Sequence, residues 1–149
     1  MYDLASLTLA AMVHDVGKLP VPDRILQKPG PLAPGEYDEV KQHLVRGAEM
    51  VGRIEGLESI APWLRHAHED FDGGGYPDGL REDEIPLASR MLRVVTAFRA
   101  MTSDRPHRAA MSTDAALEQL RRNAGGQFDP RCVIAFEAYV LEESTFHHG

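Results

Sequence analysis

The sequence predicts an all-helical fold. Apolar residues recur at spacings of three and four along several stretches, as in Leu4, Leu7 and Ala11 near the start. Glycine and proline separate these stretches, which is typical of helices joined by turns. The 149 residues are 43% hydrophobic and 26% charged, as expected for one compact globular domain. We therefore expect a single bundle of about six helices spanning residues 1–149.

The first half of the chain is expected to hold three helices. Helical spacing of apolar residues predicts them over about residues 3–15, 36–53 and 58–70. Prolines are frequent in residues 19–35, so this segment is expected to be a loop without a helix. A loop of this length is often functional.

The second half carries clear helix start and stop signals. Pro86 is expected to be the first residue of a helix with a strong apolar stripe. Ser112 is expected to cap the next helix, which Gly125 closes. Asp129-Pro130 is the predicted start of the last helix, and residues 143–149 are expected to form a disordered tail.

Composition narrows the choice of partners and compartment. The net charge of −7 argues against duplex nucleic acid as a partner. No apolar run is long enough to span a membrane, and no signal peptide is recognisable. Cys132 is the only cysteine, so an internal disulfide is impossible, and a cytoplasmic location is expected. We expect Cys132 to be a small core residue.

Residues 65–80 contain the most informative stretch of the sequence. Here histidines and acids are followed by Gly73, Gly74 and Gly75, and then by Tyr76-Pro77. Glycines allow backbone N–H groups to approach a ligand closely, because they lack a Cβ atom. The simpler alternative is a helix end followed by a glycine-rich turn.

Histidines on three separate predicted helices suggest a metal centre. His14, His43 and His68 lie on or beside the apolar faces of their helices, and Asp15 follows His14. A single core histidine is usually a hydrogen-bonded core residue, but three histidines on different helices, with an adjacent carboxylate, indicate a metal site. Imidazole and carboxylate ligands suit iron, manganese or zinc.

Basic residues near these positions suggest a phosphate ligand. Lys18 follows the His-Asp pair, and Arg105 and Arg108 lie in a polar turn. The alternatives are a lysine favoured by the helix dipole and two solvated surface arginines. Taken together, the groups indicate metal-assisted attack of water on a phosphodiester.

The same residues resemble a known family, the HD-GYP domain. The similarity rests on His14-Asp15-Val-Gly-Lys18, Lys41-Gln-His43, His68-Glu-Asp-Phe-Asp-Gly-Gly-Gly-Tyr-Pro-Asp-Gly-Leu80 and Thr102-Ser-Asp-Arg-Pro106. It covers about residues 5–136. The resemblance implies an all-α HD-type core, a centre of two or three iron or manganese ions, and hydrolysis of cyclic di-GMP. It also implies contacts between the Gly73–Leu80 loop and GGDEF-type cyclase proteins.

The resemblance assigns roles to individual residues. It implies metal binding by four of them: His14, Asp15, His43 and His68. It implies phosphate contacts by Lys18, Arg105 and Arg108, and we expect Gly74 and Tyr76 to contact the substrate as well. Asp15, which would bridge two metals, and Lys18 would be the catalytic residues.

The sequence departs from the family pattern at several ligand positions. Ala67 stands where the family has the first histidine of His-His-Glu, and Thr96 stands where it has a ligand aspartate. His66 is a poor substitute for that histidine, because adjacent residues of a helix lie about 100° apart. Arg99 replaces a second aspartate, and the family's upstream helices have no counterpart before Met1. One metal ion, or none, is therefore expected.

Two functional hypotheses follow from these observations. The first is a metal-dependent cyclic di-GMP phosphodiesterase with impaired catalysis. The second is a non-catalytic domain that binds cyclic di-GMP or a GGDEF partner. In the second hypothesis Arg99 would hold phosphate with Lys18, Arg105 and Arg108, where a metal would otherwise lie.

Overall fold

The computed structural model describes residues 5–6, 8–10, 31–104 and 108–147, apart from the side chain of His43. Its α-helices are α1 (Pro34–Gly52), α2 (Ala61–Arg65), α3 (Leu87–Met101), α4 (Thr113–Arg122) and α5 (Pro130–Phe146). Residues 5–6 and 8–10 are also helical, and two single turns of 3-10 helix occur at Glu58–Ile60 and Glu82–Glu84. No strand is present in the described ranges, which confirms the predicted all-α class there.

Helix α1 confirms the predicted second helix and begins two residues earlier than expected. Pro34 occupies the first turn, where the missing N–H has no intrahelical partner to lose. The Ala33 N–H donates a hydrogen bond of 3.1 Å to Oε1 of Glu36, which fixes this end. Residues 19–30, most of the expected loop, lie outside the described residues.

The third predicted helix is much shorter than expected. Its α-helical part ends at Arg65, and residues 66–68 form a turn instead of continuing to Asp70. Shorter-range hydrogen bonds replace the helical pattern here, as when the Glu69 N–H donates to the His66 carbonyl at 3.2 Å. His68 is therefore carried by a turn and not by a helix face.

Helix α3 is the central element, because it contributes to both apolar clusters. The first cluster contains Leu92 from α3 together with Ala10, Ala48, Val51, Ile60, Leu64 and Ala67. The second contains Val94 from α3 together with Leu117, Leu120, Phe128, Cys132 and Val133. The Ser89 hydroxyl also donates to the Trp63 carbonyl at 2.8 Å, tying α3 to α2. Helix α3 thus packs against α2, which directly precedes the turn that carries His68.

The predicted caps of the last two helices are confirmed. Oγ of Ser112 accepts a hydrogen bond of 3.1 Å from the Ala115 N–H at the start of α4. The Asp129 carboxylate accepts one of 2.9 Å from the Arg131 N–H at the start of α5. Gly125 lies three residues beyond α4, with a φ of 89° that favours glycine. The two caps fix the first turns of α4 and α5.

Other ends differ in detail from the sequence prediction. Pro86 is the N-cap of α3 and not its first helical residue, because its ψ of 138° is extended. Helix α5 continues to Phe146, into the segment for which the sequence predicted a tail. Cys132 is buried as predicted, and burial raises the pKa of its thiol to about 11. Among the described helices, none combines the length and apolar character needed to cross a membrane.

Candidate functional site

The glycine-rich loop after α2 is anchored by one buried carboxylate. The Glu69 side chain is fully buried. Its Oε1 accepts a hydrogen bond of 2.8 Å from the Asp78 N–H, and its Oε2 accepts one of 3.1 Å from the Leu80 N–H. A buried carboxylate is costly unless it is satisfied in this way. The far end of the loop is therefore hydrogen-bonded to Glu69, the residue that follows His68.

The loop glycines take part in this closure. A Cβ atom on Gly75 would lie 2.6 Å from the His68 carbonyl oxygen and closer still to the backbone nitrogen of Asp70. The Gly74 N–H donates to Oδ1 of Asp72 at 2.9 Å. Gly73 has a φ of 90°, which favours glycine. Gly75 and Gly74 thus make close contacts within the chain, and the approach of a ligand to these glycines stays a prediction.

A second turn supports the start of the loop. The Phe71 N–H donates to the Gln127 carbonyl at 3.2 Å, and the Asp72 N–H donates to the Gly126 carbonyl at 2.9 Å. The loop is consequently held between Glu69 and the turn that joins α4 to α5.

An aromatic stack places Tyr76 against His68. Their rings are nearly parallel, at 5°, with centroids 5.6 Å apart. The Nε2 atom of His68 is buried. Tyr76 also contacts the ring of Tyr37 edge-on at 5.0 Å, and the Tyr76 N–H donates to the His68 carbonyl at 3.3 Å. The structure thus joins the imidazole implied as a metal ligand to the tyrosine implied as a substrate contact.

An ion pair lies close to this stack. Nη2 of Arg93 lies 2.9 Å from Oδ1 of Asp70, with both side chains mostly buried. Burial raises the pKa of the Tyr76 phenol, with a smaller contribution in the same direction from Tyr37. Tyr76 is therefore neutral at physiological pH and acts as a ring and a hydroxyl donor.

His66 belongs to a cluster that sequence reasoning missed. Its Nδ1 lies 3.3 Å from Oε1 of Glu69 and 3.6 Å from Oδ2 of Asp78. Arg65 holds Asp78 through two hydrogen bonds of 3.0 and 3.1 Å, and these bonds lower the pKa of Asp78. The donor atoms of His66, Glu69 and Asp78 lie within 4.8 Å of one another, close enough for a cation. Since Glu69 already accepts two backbone hydrogen bonds, the cluster serves first to anchor the loop. The sequence feature that could have indicated this contact is the three-residue spacing of His66 and Glu69.

The two described positions that lack family ligands offer little to a metal. Ala67 is fully buried in the first apolar cluster, beside Leu64 and Leu92. The Thr96 hydroxyl donates to the Arg93 carbonyl at 3.4 Å. Among the described side chains at implied ligand positions, His68 is thus the donor that suits a divalent metal.

The predicted phosphate-binding arginines are partly described. Arg99 and Arg108 are exposed, and Nη2 of Arg108 donates to the Ala100 carbonyl at 2.8 Å. That bond brings Arg108 next to the end of α3, which carries Arg99. Other candidates lie outside the described residues: His14, Asp15, Lys18 and Arg105. His43 lies within α1, and its side chain is likewise not described.

The sequence matches one protein-family model and is similar to several named proteins. The model of the HD domain family matches residues 2–132. The chain is 42% identical over 133 residues to "Cyclic di-GMP phosphodiesterase response regulator RpfG" of Xanthomonas campestris pv. campestris, covering 87% of this chain and 35% of that protein. It is 37% identical over 158 residues to a cyclic di-GMP phosphodiesterase of Thermotoga maritima, covering 98% of this chain and 43% of that protein. It is also 37% identical over 131 residues to 3′3′-cGAMP-specific phosphodiesterase 3 of Vibrio cholerae, covering 88% of this chain and 28% of that protein.

A solved structure shows the same fold. The crystal structure of a cyclic GMP-AMP-specific phosphodiesterase of V. cholerae superimposes with a TM-score of 0.69 at 18% identity, covering 91% of this chain and 37% of that one. The chain spans less than half the length of the proteins it matches here.

Proposed function

Because this chain belongs to the HD domain family and its glycine loop carries the HD-GYP motif, we propose that it binds cyclic di-GMP and hydrolyses a phosphodiester bond. The observation that carries this proposal is the 42% identity, over 87% of the chain, to a protein named as a cyclic di-GMP phosphodiesterase. The stack of Tyr76 on His68 supports it, because it joins an implied substrate contact to an implied metal ligand.

We propose that a divalent metal, iron or manganese, is held by His14, Asp15, His43 and His68. The buried Nε2 atom of His68 and the mixture of imidazole and carboxylate donors fit such an ion. A bound divalent metal would supply an activated water and offset the charge that develops on the phosphate. With Ala67 and Thr96 in place of two ligands, we expect the ion to be held weakly.

The proposed substrate contacts come from the chain's own donors. Arg108 uses one of its donors on the Ala100 carbonyl, and a guanidinium carries five, so it can also contact a phosphate oxygen. Lys18 and Arg105 are proposed to neutralise the phosphate charge as well. Because the Gly74 N–H is engaged with Asp72, the loop's contact is assigned to Tyr76.

A second candidate is a domain that binds cyclic di-GMP without hydrolysing it. The apolar burial of Ala67 favours it, because the place of an implied ligand is filled by core packing. Arg99 adds a positive charge one turn after Thr96, and this charge would favour phosphate and disfavour a metal ion.

One pair of measurements separates the two candidates. The protein is purified anaerobically with iron and manganese supplied, its metal content per chain is measured by mass spectrometry, and turnover of cyclic di-GMP is followed by chromatography. Hydrolysis that depends on bound metal supports the first candidate. Binding of cyclic di-GMP with neither metal nor turnover supports the second, and absence of binding refutes both.

Two matched variants refine this result. The double substitution Ala67→His and Thr96→Asp restores the implied ligands and is expected to raise turnover. Arg99→Ala is expected to weaken nucleotide binding only if the second candidate is correct. Arg53→Ala, an exposed change at the C-cap of α1, is the control for lost charge.

We further propose that the loop from Gly73 to Leu80 contacts GGDEF-type cyclase proteins in the cytoplasm. Gly74, Asp78 and Gly79 are exposed on this loop, so a partner could reach it. Calorimetric titration with a purified GGDEF domain tests the contact. Loss of binding on Asp78→Ala is expected, and unchanged binding would exclude this loop.

A further inference from the structure

A cleft lies beside the glycine loop, on the side of α1. Its volume is about 340 Å³, which is within the range of small-molecule sites. Five residues of α1 and one residue of the loop line it: Lys41, Gln42, Val45, Arg46, Glu49 and Pro77. Pro77 directly follows Tyr76, so the cleft adjoins the stack of Tyr76 on His68. A ligand held at His68 could therefore extend into the cleft.

Lys41 is positioned near this cleft by two aromatic rings. Its Nζ atom lies 5.0 Å from the ring centroid of Tyr37 and 5.9 Å from that of Tyr76. Cation–π contacts of this length hold an ammonium group without neutralising its charge. The Lys41 ammonium group is therefore held close to Tyr76, where it can form an ion pair with an anionic group such as a phosphate.

The rest of the cleft is suited to a flat, polar-edged ring. Val45 and Pro77 are apolar lining residues that could pack against the face of a base. Arg46 and Glu49 are exposed and lie three residues apart on α1, so their side chains are neighbours. Together they offer hydrogen-bond donors next to hydrogen-bond acceptors.

We propose that this cleft binds one guanosine phosphate unit of a cyclic dinucleotide, with Lys41 on the phosphate, the base against Val45 and Pro77, and Arg46 and Glu49 on the guanine edge. The inference rests on the proposed function and adds to it a subsite and a basis for base selection. Glu49 repels phosphate, which places the phosphate at the Lys41 end and the base at the other.

Guanine fits the charged pair better than adenine does. Guanine presents the acceptors N7 and O6 to an arginine, and next to them the donors N1–H and N2–H to a carboxylate. Adenine presents one atom to each, N7 and the N6 amino group. Each bidentate contact is therefore reduced to a single hydrogen bond with adenine.

Calorimetric titration of the full chain tests the subsite. The probes are nonhydrolysable phosphorothioate analogues of cyclic di-GMP and cyclic di-AMP, with manganese present. Lys41→Met is expected to weaken both ligands by about fivefold or more, because it removes a charged donor from the phosphate. Arg46→Gln is expected to reduce the preference for the guanine ligand by about tenfold. Glu49→Gln is expected to reduce this preference as well.

Arg53→Gln is the matched control, since Arg53 is an exposed arginine beyond the residues that line the cleft. If the wild-type protein binds both analogues but Lys41→Met and Arg46→Gln bind as the wild type does, the subsite is refuted and the proposed function stands. If the wild-type protein binds neither analogue, the proposed function fails and the subsite fails with it.

Discussion

The Glu69 carboxylate accepts a hydrogen bond of 2.8 Å from the backbone N–H of Asp78, nine residues further along the chain. The bond spans the glycine-rich loop and closes it on the residue next to His68. This closed loop brings the Tyr76 ring against the His68 ring. The site geometry is thus a property of the loop's own hydrogen bonds.

Replacing Glu69 with glutamine tests this closure. Glu69→Gln exchanges one carboxylate oxygen for an amino group, which cannot accept a hydrogen bond from Asp78 or Leu80. We expect the free energy of unfolding to fall by about 2 kcal/mol, because a charged acceptor is lost in a buried place. Urea unfolding followed by circular dichroism measures the change.

Glu55→Gln, an exposed substitution, is the control for this variant and should change stability little. Equal stability of Glu69→Gln and Glu55→Gln would mean that the loop does not depend on the buried carboxylate.

The close packing of Gly75 gives a second prediction. In Gly75→Ala the new methyl group would lie 2.6 Å from the His68 carbonyl oxygen, so the loop must shift. We expect a loss of about 1–3 kcal/mol in the free energy of unfolding, as for other overpacked sites. Near-ultraviolet circular dichroism should also change, because the Tyr76 ring moves off His68.

Gly35→Ala is a suitable control, since nothing lies within 4 Å of a Cβ atom at that position of α1. It is expected to be neutral or stabilising, as alanine favours a helix over glycine. A Gly75→Ala protein as stable as Gly35→Ala would contradict the observed packing.

Much of the fold could be predicted from the sequence because its signals are local. The apolar spacing that predicts α1 and the caps at Ser112 and Asp129 depend on neighbouring residues alone. The early end of α2 at Arg65 could not be predicted, because the apolar pattern continues past it. The turn there is stabilised by hydrogen bonds to residues ten or more positions away, such as the one from Leu80 to Glu69.

In the candidate site, too, local motifs could be read from the sequence and long-range contacts could not. The glycine motif identified the loop, and the resemblance pointed to His68 and Tyr76. The contacts that fix them were not visible in the sequence. His66 was set aside by a helix-angle argument, yet it lies in a turn and contacts Glu69. Gly75 was interpreted as letting a backbone N–H approach a ligand, and the structure adds that the chain itself occupies the place a Cβ atom would take.

The burial of Ala67 leads to a prediction about metal-dependent stability. The histidine of Ala67→His is larger than the fully buried site allows, so we expect a loss of about 1–3 kcal/mol in the absence of metal. In the double variant with Thr96→Asp, added manganese should recover part of this loss, because binding favours the folded state. Calorimetric melting with chelator and with excess manganese compares the two conditions.

Thr96→Asp alone is the control for the added carboxylate. If manganese raises the melting temperature of the double variant no more than that of the wild type, the two positions do not contribute to a metal site.

Asp129 should make the stability of the chain depend on acid pH. Its buried carboxylate lies 2.7 Å from Nη1 of Arg90 and 3.1 Å from Nη2 of Arg131. Burial alone would raise the pKa of Asp129, but hydrogen bonds from Arg131 and Arg90 outweigh it, and the pKa is lowered. The carboxylate therefore contributes its full stabilisation above the ordinary carboxyl value of about 4 and loses it as the pH falls further.

Asp129→Asn should cost about 3 kcal/mol at neutral pH, because it removes the nearer and buried anionic partner of the largely buried Arg90 guanidinium and leaves only the exposed Asp83, at 3.5 Å. Its stability should also fall less steeply than that of the wild type between about pH 5 and pH 2. Urea unfolding across this range measures both effects, with the exposed change Glu142→Gln as control. Parallel pH profiles for Asp129→Asn and the wild type would show that another carboxyl group governs the acid response.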